Sequence, residues 1–163
     1  MELRPATEAD LPGILEIYNH AILTSTAVYD YEPHSLEMRR RWLEEKRAAG
    51  MPVWVAAEGE AVHGFGAYGP FRPWAGYRFT VEHSLYVAEA RRGQGLGKRL
   101  LERLLLSARE QGMHTVVAGV DAANEGSIAL HRAFGFEETG RLREVGQKFG
   151  RWLDLVFLQK LLS

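Results

Sequence analysis

The chain has no cysteine among its 163 residues, which excludes disulfides, thiolate metal sites and a cysteine nucleophile. It has no surplus of either charge. Twenty Lys and Arg stand against 21 Asp and Glu, for a formal net charge of −1, whereas broad nucleic-acid binding needs a basic excess. No nucleic-acid partner is expected. Long apolar runs are missing as well, and Met1, Glu2, Leu3, Arg4, Pro5 do not lead into the apolar stretch of a signal peptide. The expectation is a cytoplasmic protein with no membrane partner. The histidines are scattered, with no pair at helical spacing around a Glu, so no metal is expected. No Gly-x-Ser-x-Gly elbow offers a serine nucleophile.

With 46% hydrophobic residues, the length suits one domain over 1–163 with a sizeable core. Its most informative stretch is Arg91, Arg92, Gly93, Gln94, Gly95, Leu96, Gly97, Lys98, between a strand-like run and a leucine-rich helix. Glycine visits left-handed conformations cheaply and lets a ligand touch the backbone. A helix start adds orphan N–H donors and the positive end of the dipole. The run therefore reads as a phosphate cradle, with a glycine-rich turn as the plainer alternative. A Walker loop fails, because Arg92 stands where its first glycine belongs and no Ser or Thr follows Lys98. The dinucleotide fingerprint fails too, since Lys98 or Leu100 takes the place of its third glycine. A phosphate that arrives without a metal remains.

Along the chain, residues 3–6 read as a strand, and Thr7 with Asp10 caps a helix whose stripe is Leu11, Ile14, Leu15, Tyr18 and Ile22. Ser35 caps a charged helix that Gly50 and Pro52 stop. Residues 53–57 and 62–68 flank Glu58, Gly59, Glu60 as a hairpin. Residues 69–78 form a loop dense in aromatics and arginine, a composition that suits a binding wall. Residues 79–87 are a strand leading into the glycine run. Leu96, Leu100, Leu101, Leu104, Leu105 and Ala108 line one face of the next helix, which Gly112 ends. A buried strand over 115–120 and a helix over 125–134 follow. Two last strands, 136–145 and 152–161, are joined by a turn at 146–150. The order predicts an α/β fold with a mixed α+β sheet of about seven strands flanked by about four helices.

This order and the motif together resemble the GNAT superfamily of N-acetyltransferases, whose acetyl-CoA signature, Gln or Arg, two residues, Gly, one residue, Gly or Ala, is matched by Arg92, Gly95 and Gly97. The likeness covers almost the whole chain. Residues 80–87 (Thr, Val, Glu, His, Ser, Leu, Tyr, Val), then Asn124, Ser127, Leu130, His131, Gly135 and Phe136, then Gly146, Lys148, Gly150, Trp152 and Asp154, look like the phosphinothricin and methionine sulfoximine N-acetyltransferase branch. The resemblance implies acetyl-CoA as co-substrate. Arg92, Gly93, Gln94, Gly95, Leu96, Gly97 and Lys98 would grip its pyrophosphate, and the backbone of Leu85, Tyr86 and Val87 would pair with its pantetheine arm. Asn124 and Ser127 would meet the same arm, Asn124 serving equally as an N-cap.

Amide formation needs a neutral amine, yet an alkyl ammonium with a pKa of about 10 is charged at neutral pH. Glu82 lies mid-strand among Phe79, Val81, Leu85 and Val87, where burial would raise a carboxylate's pKa towards that of a useful base. The alternatives are an exposed residue on a polar strand face, or an ion pair with Arg72 or Arg78. The family resemblance favours the base. His131 stands where many relatives of this fold carry a tyrosine acid, and it could donate to the leaving thiolate, act as a base, or only pack. For a small amino-acid analogue, Arg72, Arg78 and Lys148 are candidate anion holders. Pro73 and Trp74, with Tyr29, Glu32, Phe71 and Tyr77, would wall the pocket, and His83 and Ser84 would hydrogen-bond the ligand.

The reading is an N-acetyltransferase acting on the α-amine of such an analogue by direct attack in a ternary complex. Other acceptors, a protein N-terminus or a polyamine, and a non-catalytic acyl-CoA sensor are the alternatives. The last strand is apolar on both faces, and with the family's habit this suggests a homodimer.

Overall fold

A computed structural model describes residues 1–163. Seven strands and four helices follow in the order β1 (Glu2–Pro5), α1 (Leu11–Thr24), α2 (Leu36–Ala48), β2 (Val53–Glu58), β3 (Ala61–Pro70), β4 (Thr80–Val87), α3 (Leu96–Glu110), β5 (Thr115–Asp121), α4 (Glu125–Ala133), β6 (Glu137–Lys148) and β7 (Arg151–Leu161). One sheet in the order β1-β2-β3-β4-β5-β7-β6 runs through the molecule. Every neighbouring pair is antiparallel except β4 and β5.

That parallel pair positions the site. β4 and β5 share a register only over Thr80–Glu82 against Thr115–Val117. Beyond it β4 continues to Val87 with β3 as its partner, and β5 continues to Asp121 with β7. The two strands splay, and the edge of β4 that faces β5 is left open.

Helices cover both faces. On one, the α3 stripe of Leu100, Leu101, Leu104, Leu105 and Ala108 is buried, as its period predicts. Burial of each leucine contributes about 1.5–3 kcal/mol. The Leu104 side chain of α3 fills the space over Gly66 of β3, where a Cβ would stand 2.8 Å from its Cδ1. A larger residue there would have to displace the Leu104 methyl. On the other face, Leu11, Ile14 and Ile17 of α1 and Leu43 of α2 pack on Val53, Val55, Phe65 and Ala67. The predicted stripe is corrected: Leu15 and Tyr18 are half-buried, and Ile17 and Ala21 are buried beside Leu11, Ile14 and Ile22.

The expected turn at 146–150 is shorter in the structure. β6 pairs through Lys148 opposite Arg151, and only Phe149 and Gly150, at φ 53 and 73, turn the chain. The irregularity lies earlier. Two residues separate Leu142 from Gly146 beyond what their partners Leu155 and Leu153 allow, so residues 143–145 bulge. Glu144 takes φ 51 there, and its N–H donates to Asp154 Oδ1 at 2.8 Å. Gly146 lies under the ring of Tyr29, only 2.6 Å from where a Cβ would stand.

Candidate active site

The sequence alternation of β4 sends its side chains to both faces. Val81 and Leu85 join the α3 cluster, whereas Tyr86 joins α1. Glu82 and Ser84 share the α1 side with Tyr86, and His83 points with Val81 towards α4.

A cleft of about 760 Å³ fills the splay. One wall is Leu85, Tyr86 and Val87 of β4, and the other is the start of α4 with Asn124 and Ser127. Arg92, Gly93, Gly95, Leu96 and Gly97 close one end. Gly93 and Gly95 take φ 76 and 81, and a Cβ built on either meets nothing within 4 Å. Both therefore need glycine for their backbone conformation and face open space. α3 begins on Gly95 with no side chain capping it, so the first N–H groups of the helix are free to bind an anion. These features fit a long ligand with a phosphate end and an amide-bearing arm. Gln94 and Lys98 are exposed beside the cleft, and their side chains are not part of its wall. Asn124 caps α4 by accepting from Ser127 N at 3.1 Å.

At the apex of the splay a small cavity of about 90 Å³ adjoins the cleft, lined by Ser84, Gly119, Asp121, His83 and His131 among others. A second cavity of about 310 Å³ lies on the Glu82 side and shares His83, Ser84 and Gly119 with it. Cleft and Glu82 cavity thus meet around one short stretch of β4. Glu82 is half-buried, and its Oε2 lies 3.3 Å from the Cβ position of Gly119. Burial raises its pKa, and the charge of Arg72 partly opposes the rise. A carboxylate so placed is a better proton acceptor than an exposed one.

His83 and His131 are both buried, with Nε2 atoms 2.9 Å apart. His131 Nδ1 lies 2.7 Å from the Ser127 carbonyl. A carbonyl only accepts, so Nδ1 carries the proton, and in the neutral ring Nε2 is then a lone pair that accepts from His83 Nε2–H. The neutral His131 has no second proton to donate. Burial, and then the neighbouring ring, push the His83 pKa down to about 3. Burial lowers that of His131, against the bond to Ser127. His83 Nδ1 is buried without a partner.

Of the remaining expected residues, Arg72 stays close enough to act on the Glu82 charge, and the others stand apart from it. Arg72 is exposed, with its guanidinium 4.2 Å over the Phe71 ring and Nη1 donating to the Phe71 carbonyl at 2.8 Å. Arg78 stacks on Phe79 at 4.6 Å, and Pro73 and Trp74 are exposed on the same loop. Lys148 is elsewhere: it is buried and donates to the Val28 carbonyl at 2.7 Å. Tyr29 donates to Asp121 Oδ1 and to the Asp154 carbonyl, and burial, then Asp121, push its pKa up to about 12.

Three residues escape the sequence reading. Asp121 is buried at the end of β5, lines cleft and apex, and accepts from Thr26 Oγ1. Gly119 makes room for Glu82, and a lone glycine inside a strand is the signal of such an approach. Lys46, at the end of α2, lines the Glu82 cavity.

An open strand edge joined to a phosphate cradle, with a half-buried carboxylate in the cavity beyond the apex, defines an acyl-CoA-dependent transferase. The chain belongs to the acetyltransferase (GNAT) family, whose model matches residues 14–136. It is 48% identical to an L-methionine sulfoximine/L-methionine sulfone acetyltransferase of Pseudomonas paraeruginosa over 96% of this chain and 92% of that protein. The crystal structure of a ribosomal-protein-alanine N-acetyltransferase from Brucella melitensis matches with TM-score 0.96 and 50% identity over 99% of both chains. A GNAT superfamily phosphinothricin acetyltransferase from Sinorhizobium meliloti in complex with AcCoA matches with TM-score 0.96 and 39% identity, over 99% of this chain and 88% of that one.

Proposed function

We propose that the protein acetylates the α-amine of a small amino-acid analogue of the methionine sulfoximine or phosphinothricin kind, with Glu82 as the base. The observation that carries this is the half-buried Glu82 carboxylate in a cavity that meets the cleft at the apex of the splay. Acetyl-CoA supplies the thioester carbonyl. The glycine turn and the start of α3 would hold its pyrophosphate, and Leu85–Val87, Asn124 and Ser127 its arm. Glu82 takes a proton from the ammonium, directly or through a water, and leaves the amine lone pair facing the apex. Supporting a positioning role for His131, its protonated Nδ1 is spent on the Ser127 carbonyl within α4, and its Nε2 accepts from His83, which ties α4 to β4 across the splay. Names among the relatives support an amino-acid acceptor, whereas the name of the Brucella protein describes an alanine of a ribosomal protein.

A thiol-release assay with acetyl-CoA separates these. L-Methionine sulfoximine or phosphinothricin should be turned over with a kcat/KM at least tenfold above spermidine or an alanine-initiated peptide. The reverse order sinks the proposal. Calorimetric binding of acetyl-CoA with no thiol release for any amine would instead point to a sensor. We further infer a homodimer, supported by exposed Leu142, Val145, Phe149 and Trp152 on the β6–β7 hairpin. Sedimentation equilibrium at micromolar concentration should return twice 18.4 kDa, and a single-chain mass would reject it.

A further inference from the structure

The Glu82 cavity contains a second charged group. Lys46 is half-buried in the last turn of α2, and its Nζ donates to the Tyr68 carbonyl at 2.8 Å. That bond uses one of three N–H donors, and no carboxylate forms an ion pair with it. Its place is made by a glycine. Nζ lies 2.7 Å from where a Cβ at Gly69 would stand, and Gly69 is the cross-strand partner of Glu82. Side chains on such a pair share one face of the sheet, about 5 Å apart at Cβ. The ammonium therefore occupies the position of the missing side chain, next to Glu82. The Glu82 carboxylate leans the other way, over Gly119 of β5. Across three neighbouring strands the face carries an ammonium over β3, a cavity of about 310 Å³, and a carboxylate over β5. The two charges line the same space without pairing to each other.

We propose that Lys46 receives the α-carboxylate of the acceptor while Glu82 receives a proton from its α-ammonium, so that the site selects a free, zwitterionic α-amino acid. This rests on the acetyl-transfer reading above and names the group that chooses the acceptor. An α-amino acid carries opposite charges on two groups bonded to one carbon, in the order the cavity presents their complements. Its carboxylate accepts from the two remaining Lys46 N–H groups, and its nitrogen is thereby held against Glu82 and towards the apex. A peptide N-terminus offers a neutral amide at the same position, and a simple amine offers nothing. Either would leave a partly desolvated ammonium unpaired, which is unfavourable. Burial lowers the pKa of Lys46, and Arg39 adds to the effect; a bound carboxylate offsets both. Arg72 is the other cation nearby, but it is exposed and engaged with Phe71. It stands at the rim, where solvent screens it.

The test compares L-methionine sulfone with its α-carboxamide in wild type, Lys46→Met and Lys46→Arg, reading thiol release at saturating acetyl-CoA. Wild type should prefer the carboxylate by roughly 10- to 100-fold in kcat/KM, the range of a charge-assisted hydrogen bond. Lys46→Met should lose that preference through KM for the amino acid, with KM for acetyl-CoA within about twofold of wild type. Lys46→Arg, which keeps the charge, should retain at least part of the preference and shows that loss in the Met variant is not misfolding. An unchanged carboxylate preference in Lys46→Met overturns the assignment of Lys46. A wild type that releases thiol with peptide amines and prefers the carboxamide overturns the zwitterion as acceptor. A wild type that releases no thiol with any amine overturns the underlying acetyl-transfer reading itself.

Discussion

On the cleft side of the β4–β5 splay the chain presents main-chain groups: two left-handed glycines, the free N–H groups of α3, and the unpaired edge of β4. On the Glu82 side it presents side chains: a carboxylate over Gly119, an ammonium over Gly69, and an arginine at the rim. On the proposed reading, the first side would recognise what every donor of this kind shares, for which backbone geometry is sufficient. The second must tell one amine from another, and only side chains of differing charge and length can do so. Relatives with the same fold can therefore keep the first and vary the second. A substitution on the Glu82 side should alter chemistry or acceptor choice, and one on the cleft side should alter donor affinity alone.

The largest expected effect is on the Glu82 side. Glu82→Gln removes the proton acceptor while keeping the shape, and kcat should fall by about 10²–10⁴, the usual worth of a general base. KM for acetyl-CoA should stay within about twofold, because no cleft-wall contact is lost. The pH profile sharpens the assignment. The wild-type carboxyl titrates above the usual carboxylate range because it is buried. Activity should therefore fall as pH drops through that raised value, and the limb should be absent from the residual rate of the variant. Turnover of Glu82→Gln equal to wild type across the pH range would break the division between the two sides.

A smaller effect of opposite kind is expected from Gly95→Val. The residue takes φ 81 with open space around it, so the strain is conformational and not steric crowding by neighbours. Holding a β-branched residue there costs about 1–2 kcal/mol. KM for acetyl-CoA should rise about tenfold, while KM for the amine and kcat at saturating donor change less than about threefold. Steady-state kinetics with each substrate varied in turn would show this, and an equal rise in both KM values would contradict it.

The same division decides what was legible in the sequence. Glycines and helical periods are local signals, so the cradle, the α3 stripe and the strand before it can be read from neighbouring residues. Glu82 is singled out by the family resemblance, because on the strand alone a carboxylate followed by His83 and Ser84 fits an exposed polar face equally well. Lys46 gives no such signal. Its function depends on a helix end meeting a strand 22 residues later at the Tyr68 carbonyl, and a lysine on a charged helix looks like solvent-facing surface. Lys148 misleads for the same reason in reverse, since its ammonium is drawn inside by the Val28 carbonyl, 120 positions away. The His83–His131 pair spans 48 positions, and until its bond to Ser127 is seen the proton cannot be assigned. The bulge at 143–145 is held by Asp154 on the facing strand, which binds Glu144, and by the distant Tyr29, whose ring lies over Gly146.

The smallest expected effect is on stability, and it tests whether Glu82 is held in its place against the preference of the fold. Its pKa is raised in the folded state. An acid with a raised folded pKa binds more protons folded than unfolded, so stability falls as pH rises from the unfolded pKa through the folded one. Above that window the ionised, half-buried carboxylate is a net liability, which a neutral glutamine of the same shape relieves. Glu82→Gln should therefore melt slightly higher than wild type at pH 7, with the difference shrinking towards zero near pH 4, where both side chains are neutral. The rise should be small because the group is only half-buried and solvent screens it. An asparagine at position 121, by comparison, would remove a buried carboxylate that Thr26 and Tyr29 already satisfy, so Asp121→Asn should show no such gain. Thermal denaturation of the three proteins at both pH values reads the contrast. A Glu82→Gln variant that melts below wild type at pH 7 would mean that the carboxylate is a structural group, and the functional division between the two sides of the splay would lose its main support.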